Sequence, residues 1–143
     1  MEKEFVPYEL GVKLKELGFN EKCIAYHKDN EIYQEAGVCY VNSDFEPTMV
    51  WDEMLPNKNC TAPLWRQAFR WFRERHGLQG YVYSTTVRGG KEGKHFSDYC
   101  WHINGIDMPF LSTDARDMEN VSYEEAELAC LTKLIEIVES KSE

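Results

Sequence analysis

No apolar run in this sequence approaches the length a helix needs to cross a bilayer, so no membrane-spanning segment is expected. The opening residues, MEKEFVPYEL, lack the continuous apolar stretch of a secretory signal. Five cysteines, Cys23, Cys39, Cys60, Cys100 and Cys130, include no C-x-x-C pair. An odd, scattered set points away from a disulfide framework and towards reduced thiols, and so to a cytoplasmic protein. The histidines His27, His76, His95 and His102 show neither H-x-H nor H-x-x-x-H spacing, and Asp114, Asp117 and Glu119 sit in no calcium-loop pattern, so no metal is expected. RGGKEGK has neither the spacing of a phosphate-binding loop nor a following helix, and no cofactor motif occurs elsewhere. Positive charge is scarce: 16 lysines and arginines stand against 25 acids, a formal net charge of −9. That field repels a phosphate backbone, which excludes a nucleic acid polymer as the expected partner.

What is present is ordinary for a globular protein. Apolar residues make up 43% of the 143, enough for one compact domain with its own core, and no repeat or linker calls for a second. PYELGVKLKELGF predicts a short amphipathic helix, with Pro7 in the first turn, Leu10, Leu14 and Leu17 on one face and Gly18 as the stop. KCIAYHKDNEIYQ predicts two strands around a Lys28-Asp29-Asn30 turn, and GVCYVNS a further strand or a continuation. Residues 44–59 and 105–120 read as long loops, with TMVW extended, and loops of that length in a small domain invite function. A second helix runs from near Thr61-Ala62-Pro63 to Gly77, and QGYVYSTTVRGGKEGKHFSDYCWHING reads as a hairpin. The last helix opens on a Ser122/Glu125 capping box with a Val121/Ala126 staple, and its expected face is Leu128, Leu131, Ile135 and Val138, widened by Leu134 and Ile137. The sum is an α+β domain: an antiparallel sheet of about four strands with three helices packed mainly on one face.

Two stretches carry chemistry. WRQAFRWFRERHG places Leu64, Trp65, Ala68, Phe69 and Phe72 on one arc of a helical wheel, and Arg66, Arg70 and Arg73 on the opposite side. Trp71 falls at a flank beside Gln67 and Glu74, and Arg75 nears the apolar arc. The arginine row is either a solvated face pairing with the chain's carboxylates or an anion clamp, since guanidinium forks match phosphate and carboxylate. In the second case Arg66, Arg70, Arg73 and Trp71 are the ligand-binding residues.

In the hairpin, turning Tyr81, Tyr83, Trp101 and Ile103 to the core, with Tyr99 beside them, sends Ser84, Thr86, Asp98, Cys100 and His102 to the other face. A hydroxyl, a thiol, a carboxylate and an imidazole on one patch suggest a nucleophile and a base, with Cys100 or Ser84 attacking and His102 as the base. Against this, same-face strand neighbours stand roughly 6.5–7 Å apart and no oxyanion-hole signature accompanies them.

The order hairpin, loop, helix resembles the end of a double-stranded RNA-binding domain. That family's last helix opens with lysines on phosphate; here Glu124, Glu125 and Glu127 stand there, so the resemblance implies no RNA binding. Together, EFVPYELGVKLKELGFNEKC, APLWRQAFRWFRERHGL and YEEAELACLTKLIEIV resemble a set of short uncharacterised proteins of Bacteroidetes genomes and their prophages. This resemblance implies a cytosolic protein of a gut-type bacterium or its phage, and brings no catalytic residues with it. The expected function is therefore a non-enzymatic binding protein that sequesters a small anionic, nucleotide-like ligand or a host protein. The alternatives are an interaction module acting as a homodimer, and a small hydrolase using Cys100 and His102.

Overall fold

Glycine and proline punctuate the first and second helices. Pro7, extended at φ −61° and ψ 155°, leads into α1 (Tyr8–Glu16), and Gly18 at φ +96° ends it, a conformation that costs a residue with a Cβ. Gly77, at φ +64°, does the same after α2 (Trp65–His76). The computed structural model describes residues 2–28, 31–34, 60–87, 96–105, 108–112 and 121–141. They belong to two compact units, Met1–Ala68 and Phe69–Glu143. The expected turn residues Asp29 and Asn30, the strand GVCYVNS, the TMVW segment and the tip RGGKEGK lie outside the described residues, as do most of the two long loops.

In the first unit, β1 (Ala25–Lys28) pairs antiparallel with β2 (Glu31–Gln34), with Lys28 opposite Glu31. The other edge of β1 is taken by β3 (Cys60–Thr61), a two-residue strand in a stretch expected to be loop and helix start. α1 packs on β3 at Gly11, where a Cβ would meet Cys60 Sγ at 3.1 Å and the Thr61 carbonyl oxygen at 3.3 Å. Phe5, Ala25 and Ala62 form a small core with Ile24, Ile32 and Leu64 against it. His27 is buried beneath α1: its Nε2 donates to the Val6 carbonyl at 2.8 Å and its ring meets the edge of Tyr8.

The second unit is built on the hairpin. β4 (Leu78–Val87) and β5 (Phe96–Gly105) pair along their whole lengths, and β6 (Met108–Ser112) adds to β5 through an irregularity between Ile103 and Gly105. The run expected to be a polar connection thus supplies an edge strand, where Pro109 is tolerated because one side of the strand makes no ladder bonds with described residues. α3 (Tyr123–Lys141) lies on β4 and β5. Its start is the expected one: Ser122 Oγ accepts the Glu125 amide at 3.1 Å.

The fold class is α+β, as the sequence implied, with a correction to its assembly. The strands form two three-stranded antiparallel sheets, β2-β1-β3 and β4-β5-β6, in place of one sheet of about four. Each sheet accordingly has its own helix, α1 on the first and α3 on the second. The buried row of α3 also differs: Ala126, Cys130, Leu131, Leu134, Ile135 and Val138 face inward, while Leu128, expected in the core, is 42% exposed.

Candidate functional site

Two surfaces gather the side chains that carry chemistry. The first is the outer side of α2. Its first turn is held by polar contacts: Trp65 Nε1 donates to the Lys3 carbonyl at 2.9 Å, and Gln67 Nε2 to the Lys22 carbonyl at 2.9 Å and to Glu21 Oε2 at 3.3 Å. Ala68, Trp71 and Phe72 are buried, and Trp65 and Phe69 half-buried. The opposite side presents Arg66, Arg70 and Arg73, all exposed, at helical spacings of four and three. Among the described residues neither Arg66 nor Arg73 has an ion-pair partner.

Trp71 is not a flank residue. It is 5% exposed, with its ring edge-on to Phe72 at 5.0 Å and to His76 at 4.8 Å. The buried arc is centred on Ala68, Trp71 and Phe72, one residue round the wheel from the expected centre. The ring belongs to the packed side of the helix and not to the arginine row. His76 closes this cluster, and its Nε2 is buried without a hydrogen-bond partner among the described residues. Burial first, then the charges of Arg75 and Lys141, hold its pKa below the ordinary value.

The second surface is the face of β4–β5 turned away from α3. Register decides its membership. Tyr81 pairs with His102 and Tyr83 with Cys100, and directly opposed residues share a face. The other face carries Gly80, Val82 and Ser84 opposite Ile103, Trp101 and Tyr99. That face meets α3: a Cβ on Gly80 would stand 2.8 Å from Leu134 Cδ1 and 3.1 Å from Cys130 Sγ. Tyr99 adds an edge contact to Tyr123 and donates its amide to the Val121 carbonyl at 3.3 Å.

The expected patch is therefore divided. Pairing joins odd-numbered positions of β4 to even-numbered positions of β5, so Tyr81 and Tyr83 leave the core side and join Cys100 and His102. Ser84 goes to the face that begins on α3. The side chains of Thr86 and Asp98 lie outside the described residues. On the tyrosine face, Tyr81 is 45% and Tyr83 39% exposed, while Cys100 and His102 beside them are buried. The Tyr81 ring stacks on His102, centroids 4.9 Å apart and planes 30° apart. His102 Nε2 donates to Asn104 Oδ1 at 2.9 Å; an amide oxygen only accepts, so Nε2 carries the proton. Partial burial, followed by the charge of Cys100, raises the pKa of the Tyr83 hydroxyl. Asn104 is not singled out by the sequence; it stands two residues from His102 on the same strand, and no local pattern marks it.

The thiols are quiet. Cys23, Cys60, Cys100 and Cys130 are all buried, and none of these four is in a disulfide. Cys130, beneath the strands, is pushed up to about 12, mainly by burial. Among the described residues no group of histidines, cysteines and acids could hold a metal ion, and no helix is long and apolar enough to cross a membrane. Compared with known protein families, with curated proteins and with solved structures, the chain matches none.

Proposed function

We propose that this is a non-enzymatic, cytoplasmic binding protein, of the genome- and prophage-borne kind its three sequence blocks resemble, and that α2 holds a small anionic, nucleotide-like ligand on Arg66, Arg70 and Arg73. One observation carries the reading. In a chain with 25 acids, Arg66 and Arg73 stand exposed and, among the described residues, without an ion-pair partner. A merely solvated face in so acidic a protein would be expected to pair. Arg70 lies between them, one helical turn from each, so an anion with several oxygens meets guanidinium forks at fixed spacing. Affinity comes from charge-assisted hydrogen bonds alone, since Trp71 is packed inside and does not stack on the ligand. An acidic surface of a host protein would satisfy the same row.

Hydrolysis is the weaker reading. Cys100 is 1% exposed, and His102 commits Nε2 to Asn104. A nucleophile needs access and a base with a free nitrogen aimed at it.

The test is calorimetric titration with inorganic phosphate, AMP and ATP at low salt. Binding should strengthen from phosphate to ATP and vanish in the R66Q/R70Q/R73Q variant, whose melting temperature should stay near that of the wild type. Equal affinity in wild type and variant would remove the arginine row from the account.

A further inference from the structure

Each of the two sheets ends on two edge strands, and three of these four edges are guarded against pairing with a foreign strand. β3 is two residues long, β2 is four and holds Glu31, and β6 is five and holds Pro109. β4 has no such guard. It runs ten residues, LQGYVYSTTV, without a charge or a proline, and pairs with β5 from Leu78 to Val87 without a bulge. One edge of β4 is taken by β5 and one face by α3. Among the described residues no strand pairs with its other edge, and no backbone hydrogen bond reaches it from outside the sheet. Gln79, Tyr81, Tyr83 and Ser84 are exposed along it.

The backbone itself specifies what fits there. A strand in an antiparallel sheet gives alternate amides and carbonyls to each neighbour, so those of β4 not bonded to β5 point out along this edge. Only another extended strand repeats donors and acceptors at the same interval. A second β4 matches in its side chains as well. Turned antiparallel about Val82, it brings Tyr81 opposite the partner's Tyr83, and Tyr83 opposite the partner's Tyr81. Directly opposed residues share a face, so the exposed tyrosines of two copies form one cluster on the side away from α3, and aromatic cross-strand pairs stabilise a sheet. On the α3 side Val82 meets its own copy and Gly80 meets Ser84, groups small enough or β-branched enough for a pleated surface. No charged side chain of β4 is brought against its like.

We propose that the protein forms a symmetric dimer in which the outer edges of two β4 strands pair antiparallel, joining two three-stranded sheets into one of six strands. The contact uses none of the α2 arginines, so either proposal stands if the other fails.

The test is sedimentation equilibrium of the full chain over a wide concentration range, with amide hydrogen exchange read at both ends of it. The chain should sediment as a monomer when dilute and as a dimer when concentrated. Added salt should tighten the dimer, because two chains that each carry −9 repel and salt screens that repulsion. In the dimer the β4 amides not bonded to β5, every second residue along the strand, should exchange more slowly. Y81K/Y83K and Y81E/Y83E each set like charges opposite one another and should associate roughly tenfold more weakly. A one-to-one mixture of the two should associate again, lysine against glutamate, and the uncharged Y81T/Y83T should still dimerise. A chain that stays monomeric at millimolar concentration overturns the proposal, as does a dimer whose outer β4 amides exchange as fast as those of the monomer. Association of either charged variant at wild-type strength overturns it too. Should a charged variant unfold, the exchange pattern of the wild type decides alone.

Discussion

Tyr81 on β4 lies over His102 on β5, one exposed ring resting on one buried ring at 4.9 Å. The pair fixes an aromatic surface at the centre of the sheet, and its parts can be separated by substitution. H102A removes the support, leaves a void beneath Tyr81 and should destabilise the protein by about 2 kcal/mol. H102F keeps the stack and gives up the bond to Asn104, whose exposed side chain turns to water instead. It should recover most of the loss. Denaturant unfolding of the two variants checks this: equal destabilisation by both would place the stabilisation in the hydrogen bond and not in the stack.

Gly80 is where α3 comes closest to the sheet. An added Cβ would fall 2.8 Å from Leu134 Cδ1 and 3.1 Å from Cys130 Sγ, both on fully buried side chains with little room to yield. G80A should therefore cost about 1–3 kcal/mol by overpacking, although alanine suits a strand better than glycine does. Shortening the neighbour in G80A/L134V should restore part of it. A G80A protein as stable as the wild type would mean that α3 shifts freely on β4.

What could be read from the sequence was whatever is local. The three helices follow from periodicity and from Pro7, Gly18, Gly77 and the Ser122 cap, each acting within a few residues of its own position. The β4–β5 hairpin follows from two β-rich runs about a turn. Register was not legible, because alternation shows which residues of one strand share a face but not which partner residues face them. One step of register is the difference between Tyr81 with Trp101 and Tyr81 with His102. β3 and β6 were missed for a related reason: two residues at Cys60–Thr61, and a proline-bearing run at Met108–Ser112, become strands only because β1 and β5 offer them an edge. Trp71 failed on a smaller scale, since a wheel gives the width of an apolar arc better than its centre. The arginine row was legible; that Arg66 and Arg73 have no ion-pair partner among the described residues was not.

Ser122 is a separable contribution. Its Oγ accepts the Glu125 amide at 3.1 Å, occupying one of the donors that the first turn of α3 leaves without an intrahelical partner. S122A should cost about 1 kcal/mol and S122D close to nothing, since a carboxylate accepts the same bond and favours the helix N-terminus. Thermal melts at neutral pH distinguish them. An S122A melt unchanged from wild type would show that Glu124 and Glu125 already stabilise the start of α3 without the cap.

Two histidines give the fold a dependence on acid, and its sign can be worked out from their surroundings. Burial lowers the pKa of His27, against a smaller opposing effect from its bond to Val6, and burial with Arg75 and Lys141 lowers that of His76. In the unfolded chain both return to about 6.5. Below that value the unfolded chain binds protons that the folded chain still refuses, so stability is complete above pH 6.5 and falls as pH drops towards the lowered folded values. Beneath those values both states are protonated and these two groups add no further slope. Unfolding free energies measured from pH 8 to pH 5 should decline in the lower half of that range. H76Q, which cannot charge and still offers a polar group to the buried pocket, should flatten part of the decline. A wild-type curve level through pH 6 would show that these imidazoles gain their protons as readily in the folded chain as in the unfolded one.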